Sequence, residues 1–174
     1  MPEPIEIINM KKNSENRDYV LNTVKENGKL LEFACDEFKN DKEIVYEAVK
    51  NNGEAFEFAS DTLKADRQIA YESVSKLGWT YCYVKENLLL DKELLLAGIE
   101  KSGQILYFAH PNMRDDKEVV LKAVKSKGII VKYASERLRE DKEVAIEAMK
   151  QDKSCYIFLG ENIKQDEEIL QLKG

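Results

Sequence analysis

Few side chains in this sequence could do chemistry. His110 is the single histidine and stands before Pro111. An imidazole works as a base or a metal ligand only with a second group in reach. No spacing here supplies one, so a surface or capping histidine is expected. Cys35, Cys82 and Cys155 lie far apart and form no CxxC pair. A nucleophilic thiolate needs a partner that lowers its pKa; none is evident, and ordinary reduced thiols in a cytoplasmic compartment are expected. Asp115 and Asp116 form an acidic pair of the kind used in acid–base work, but Asp116 has a structural role, given below. The glycines never gather into GxGxxG or a phosphate loop. No catalytic, metal-binding or cofactor-binding residue is therefore assigned, no cofactor is expected, and the chain is read as a non-enzyme.

Charge is more suggestive. Arg17, Lys42, Arg67, Lys92, Lys117 and Lys142 recur at a constant step and could lay a track for an anionic ligand or a nucleic acid. Asp18, Glu43, Glu93, Glu118 and Glu143 stand beside them. Interleaved signs cancel, and the net charge of -6 opposes phosphate binding, which needs an excess of cations. The basic ladder is thus the alternative reading, and a solvated, salt-bridged edge the expected one. With 43% hydrophobic and 34% charged residues, the composition is that of a globular protein. No apolar run approaches the roughly 20 residues of a membrane helix. MPEPIEIINMKK has no basic start followed by an apolar core. Neither a membrane partner nor a secretory signal is expected.

The constant step is 25 residues. Asp41, Asp66, Asp91, Asp116, Asp141 and Asp166 keep it, with Asn16 in the same phase upstream. Gly28, Gly53, Gly78, Gly103 and Gly128 keep it too, as do the aromatics Phe33, Phe58, Tyr83, Phe108, Tyr133 and Phe158. Six of the eleven aspartates fall in one phase, so the chain is an array of repeats. In each, the aspartate is placed to cap a helix, accepting from the free amides of the first turn. Ile44, Val45, Ala48 and Val49 then form an apolar stripe at helical spacing. Gly53 is expected to end that helix in the left-handed conformation. A second, shorter helix from Glu54 to about Ser60 should bury Ala55, Phe56, Phe58 and Ala59, and a return segment leads to the next cap.

A helix of about 10 residues is marginal alone in water, and this stripe is too wide for one partner. Stacked copies complete it, which is the logic of a solenoid. Small residues at the Ala48 phase (Thr23, Ser73, Gly98, Ala123, Ala148) suggest close helix-to-helix approach at each step. The predicted fold is all-α: one αα-hairpin solenoid domain over 1–174, with an N-terminal cap over 1–15, six repeats over 16–165 and a truncated cap helix over 166–174. Ile5 and Ile8 match core phases of the N-terminal cap.

The run 116-DKEVVLKAVKSKGIIVKYASERLREDKE-143 resembles the tandem repeat called domain-of-unknown-function family 4116, and the resemblance covers residues 16–170. It implies helical repeats in arrays and carries no activity, substrate or site residue.

One surface stands out. The outward phases of the short helix are charged early in the chain, at Lys29, Glu32, Glu54 and Glu57. They become Trp79, Cys82, Gln104, Tyr107 and Ile129 in the middle, and the third return segment reads Leu88-Leu89-Leu90. An exposed apolar and aromatic cluster is what an interface anchor looks like. The leading expectation is a non-catalytic protein-interaction scaffold. Its candidate contact residues are Trp79, Cys82, Leu89, Gln104, Tyr107 and Ile129, and its partner is another protein or a second copy of the chain through the same patch.

Overall fold

The computed structural model describes residues 4–174, and no strand occurs among them. Met1, Pro2 and Glu3 of the expected N-terminal cap lie outside the described residues. By internal contacts the chain divides into two compact units, Met1–Leu88 and Leu89–Gly174, a boundary with no Pro, Gly or Ser-rich linker to mark it. Each unit repeats one three-part motif, and the fold class is the helical-repeat solenoid that the 25-residue period predicts.

In the first unit the motif is well represented by an α-helix Lys42–Asn51, a 3-10 helix Gly53–Phe58 and a one-turn α-helix Asp61–Lys64. In the second, Lys117–Ser126, Gly128–Tyr133 and Glu136–Arg139 repeat it. The long helices bury the expected stripe: Ile44, Val45, Ala48 and Val49 in one, Val119, Val120, Ala123 and Val124 in the other. Every long helix from Asp41 onward is capped by its phased aspartate, and Asn16 caps the first by accepting from Tyr19 N.

The second element differs from expectation. It is a 3-10 rather than an α-helix, and the return segment forms a helical turn of its own. The 3-10 winding, with three residues per turn, turns residues 29 and 32, and their equivalents at each step of 25, toward the outer side and leaves Phe58 half-buried while Ala55, Phe56 and Ala59 are covered. The glycines also differ. No described residue has a positive φ, so Gly53 does not act as a left-handed cap. Glycine is needed for proximity instead: a Cβ on Gly28 would lie 2.2 Å from Ala48 O, and one on Gly128 would lie 2.1 Å from Ala148 O. The 3-10 helix of one motif rests its backbone on the long helix of the next. Where Ser73 takes the small-residue phase, its hydroxyl donates to Gly53 O at 2.8 Å. A backbone bond recurs at the same seam: Ser60 N donates to Lys39 O (2.8 Å), Ser135 N to Arg114 O (2.9 Å) and Gly160 N to Arg139 O (3.0 Å).

The ends are covered on one side only. In the N-terminal helix Ile5–Lys12, Met10 is the buried residue. Ile5 is 67% exposed and Ile8 is exposed as well, so the expected core role of these two isoleucines does not hold. In the last helix, Glu167–Lys173, Ile169 is buried but Leu170 is exposed, although its phase is covered at Val45 and Ala145.

The basic ladder belongs to the stacking. Within each unit the cations reach forward to the cap of the next motif. Arg17 Nε lies 2.9 Å from Asp41 Oδ2 and Lys42 Nζ 2.7 Å from Asp66 Oδ2 in the first unit. In the second, Lys92, Lys117 and Lys142 meet Asp116, Asp141 and Asp166 at 2.7, 2.9 and 3.0 Å. Most rungs add a glutamate: Arg17 takes Glu43, Lys92 takes Glu118 and Lys117 takes Glu143. The aspartate divides its labour. Oδ1 of Asp141 accepts from Val144 N at 3.1 Å while Oδ2 receives Lys117. Burial alone would raise these carboxyls. The hydrogen bond from the cation and those from the first-turn amides outweigh it and hold Asp41, Asp66, Asp116 and Asp141 below the ordinary 3.8.

Two outcomes are expected. Gly128→Ala forces a side chain against backbone that cannot step aside and should cost about 1–3 kcal/mol, as overpacking does. Gly53→Ala meets Leu77 Cδ1 at 3.2 Å and Ser73 O at 3.3 Å and should cost clearly less; denaturant midpoints of the two variants give the ranking. A carboxyl held low in the folded state stabilises above its unfolded value and loses that contribution as pH falls through the folded one. Thermal midpoints should therefore be level from neutrality to about pH 5 and fall as pH passes below 3.8. Asp141→Asn keeps a competent cap but loses the rung, so its acid decline should be shallower than that of the parent.

Candidate functional site

The six expected contact residues divide between the units. Trp79 and Cys82 lie in the first, and Leu89, Gln104, Tyr107 and Ile129 in the second. Trp79, Cys82, Gln104 and Tyr107 are exposed, with Trp79 at 41% and Tyr107 at 56%. Leu89 and Ile129 are only half-buried rather than freely exposed; the bare leucine of that segment is Leu90, at 52%.

In the second unit the 3-10 helices place a continuous strip of rings on the surface. Tyr107 packs edge-on against Phe108 with centroids 5.0 Å apart, and against Tyr133 at 5.1 Å. Lys132 Nζ lies over the Tyr133 ring at 4.8 Å and the Phe158 ring at 5.7 Å. Among the described residues Lys132 has no carboxylate within ion-pair distance. Ile157, one step beyond Lys132 in the same phase, is 69% exposed. Sequence reasoning missed Phe108 and Ile157. Ile157 was findable, since it shares the outward phase of Tyr107. Phe108 was not, because its phase is half-buried in Phe33, Phe58, Tyr83 and Tyr133.

In the first unit the same surface reads differently. Trp79 packs edge-on against Tyr83 at 5.9 Å, and Lys64 Nζ lies 5.5 Å from the Tyr83 ring centre. Burial, helped by the neighbouring Glu57 carboxylate, pushes the Tyr83 hydroxyl up to about 12, so it stays neutral.

The groups that could do chemistry stand apart. His110 is a cap: its Nδ1 accepts from Asn112 N at 3.2 Å at the start of the turn Pro111–Arg114. The cysteines are free thiols. Burial raises Cys82, and burial pushes Cys155 up to about 11, the direction opposite to that of an activated nucleophile. Asp115 accepts from Arg137 Nε at 3.0 Å while Asp116 caps its helix. Among the described residues no three His, Cys, Asp or Glu side chains gather as a metal-holding group, and no helix is long and apolar enough to cross a membrane.

The alternative site, the ladder of Arg17, Lys42, Arg67, Lys92, Lys117 and Lys142, is occupied by the protein's own carboxylates wherever its rungs are described above. Arg67 additionally lies 5.9 Å from the Tyr71 ring centre. A polyanion would have to displace those carboxylates to bind.

No curated protein and no solved structure matched the chain. The family model described as "Domain of unknown function (DUF4116)" matched residues 16–64, 66–114, 91–139 and 116–164. Each match opens on or beside a capping residue and spans two consecutive motifs, so the family's unit is a pair of the repeats described here. The chain belongs to the DUF4116 family.

Proposed function

We propose that this chain is a non-catalytic docking module whose 3-10 helices hold another protein. The observation that carries the reading is the ring strip of the second unit: Tyr107 packed against both Phe108 and Tyr133, Lys132 over the Tyr133 ring and Ile157 bare. Aromatic and cationic side chains grouped on a rigid support are the usual anchors of protein interfaces, and a pre-ordered support lowers the entropic cost of binding. The fold itself does not need these residues outward, since Glu32 and Glu57 stand in the phase of Tyr107, Lys132 and Ile157. The raised thiols Cys82 and Cys155 and a capping histidine supply no activated nucleophile, which favours a non-catalytic role. Three free cysteines fit a reducing, cytoplasmic setting. An anionic polymer along the ladder is the weaker reading, because those cations already serve the stack.

The test is capture from a lysate by the immobilised chain, compared with a folded Tyr107→Ala, Ile157→Ser variant. Removing two anchors should reduce specific capture by about tenfold or more. Equal capture of the same proteins by a variant of unchanged melting temperature would refute the docking face.

A further inference from the structure

The two units carry opposite charge on the same side of the motif. In the first unit the 3-10 and one-turn segments, residues 28–40, 53–65 and 78–88, hold seven carboxylates against four lysines. In the second unit the matching segments, 103–115, 128–140 and 153–165, hold six lysines and arginines against four carboxylates; Lys132, Arg137 and Lys153 are the exposed cations and Glu136 and Glu161 the exposed acids. The reversal is not a demand of the fold. One phase carries Glu32 and Glu57 in the first unit and Lys132 in the second, on the same backbone and with all three side chains exposed. Each surface also offers an apolar anchor: Trp79 on the acidic one, Tyr107 and Ile157 on the basic one.

We infer that the basic, aromatic surface of the second unit takes the acidic, Trp79-bearing surface of the first unit of another copy of this chain. The inference rests on the docking reading above and names its partner. Opposite potentials steer two such surfaces together and reject like-charged pairings, while the aromatic anchors supply the desolvated contact that holds them. A nucleic acid fits less well, since half of the exposed surface of this type is acidic and would repel phosphate. Lys132 is suited to receive a carboxylate. It lies over two rings rather than in an ion pair, so a glutamate arriving from outside displaces no acid already bound to it.

Sedimentation velocity of the full chain, from micromolar to sub-millimolar concentration, tests this. Reversible self-association is expected, weakening as salt is raised, because exposed charge pairs are screened. Glu32→Lys with Trp79→Ala removes the acidic surface, and Tyr107→Ala with Lys132→Glu removes the basic one. Each variant alone should associate about tenfold more weakly or less. Mixed in equal amounts, the two should recover a one-to-one pair, since each retains the surface the other lacks. That recovery cannot come from a merely structural effect of either variant. A wild-type chain that stays monomeric throughout, or folded variants that do not restore association on mixing, would overturn the inference. If self-association is absent while capture from lysate still depends on Tyr107 and Ile157, the self-pairing alone falls and the docking face stands. If both are absent, both fall.

Discussion

The structure depends on one close approach. At Gly28, Gly103 and Gly128 a 3-10 helix lays its first peptide on a carbonyl in the middle of the following long helix, with no room for a methyl group between them. Gly28 against Ala48 and Gly128 against Ala148 show how tight this is. Small residues on the receiving helix, Ala48, Ala123 and Ala148, leave its backbone open to this approach. Once that contact is made, the apolar stripe of an inner long helix is enclosed from two sides, and a motif with little stability of its own acquires a fixed place.

Electrostatics follows from the same spacing. With the copies held in register, the residue after one cap comes within 3.0 Å of the next cap's second oxygen in all the described rungs. Aspartate serves this position better than serine or asparagine because one carboxylate can cap a helix and receive a cation together. The rungs are exposed and individually weak; what they favour is one register between consecutive motifs. This internal use gives the ladder a structural role, and the 3-10 surface, whose outward positions the stack does not constrain, is the place where the chain can vary. The change there from glutamate to tyrosine, lysine and isoleucine is the kind of variation that recognition exploits.

Most of the architecture was legible in the sequence, because its causes are periodic. Asp41 and its equivalents announced the caps, and Ile44, Val45, Ala48 and Val49 announced the stripe. Glycine was read in the right place for the wrong reason: a left-handed cap and a close approach both favour glycine at a fixed step, and only inter-repeat geometry separates them. The 3-10 winding had a faint signature in outward residues three apart, such as Trp79 with Cys82 and Gln104 with Tyr107. Ile5 and Ile8 misled because an end helix has a neighbour on one side only, so apolar residues there do not report burial. The surface site was half legible. Phase placed Trp79 and Tyr107 outside, but whether Leu89, Leu90 or Phe108 is bare depends on packing that a period cannot express.

The claim that each motif is completed by its neighbours can be tested on one motif alone. The peptide spanning residues 116–140 contains a full long helix, 3-10 helix and helical turn. Circular dichroism on heating should show little helix and no cooperative transition for this peptide, while the whole chain melts cooperatively. A monomeric peptide that is helical in water and unfolds in a sharp transition would contradict the claim, because its apolar stripe would then have been satisfied without any neighbour.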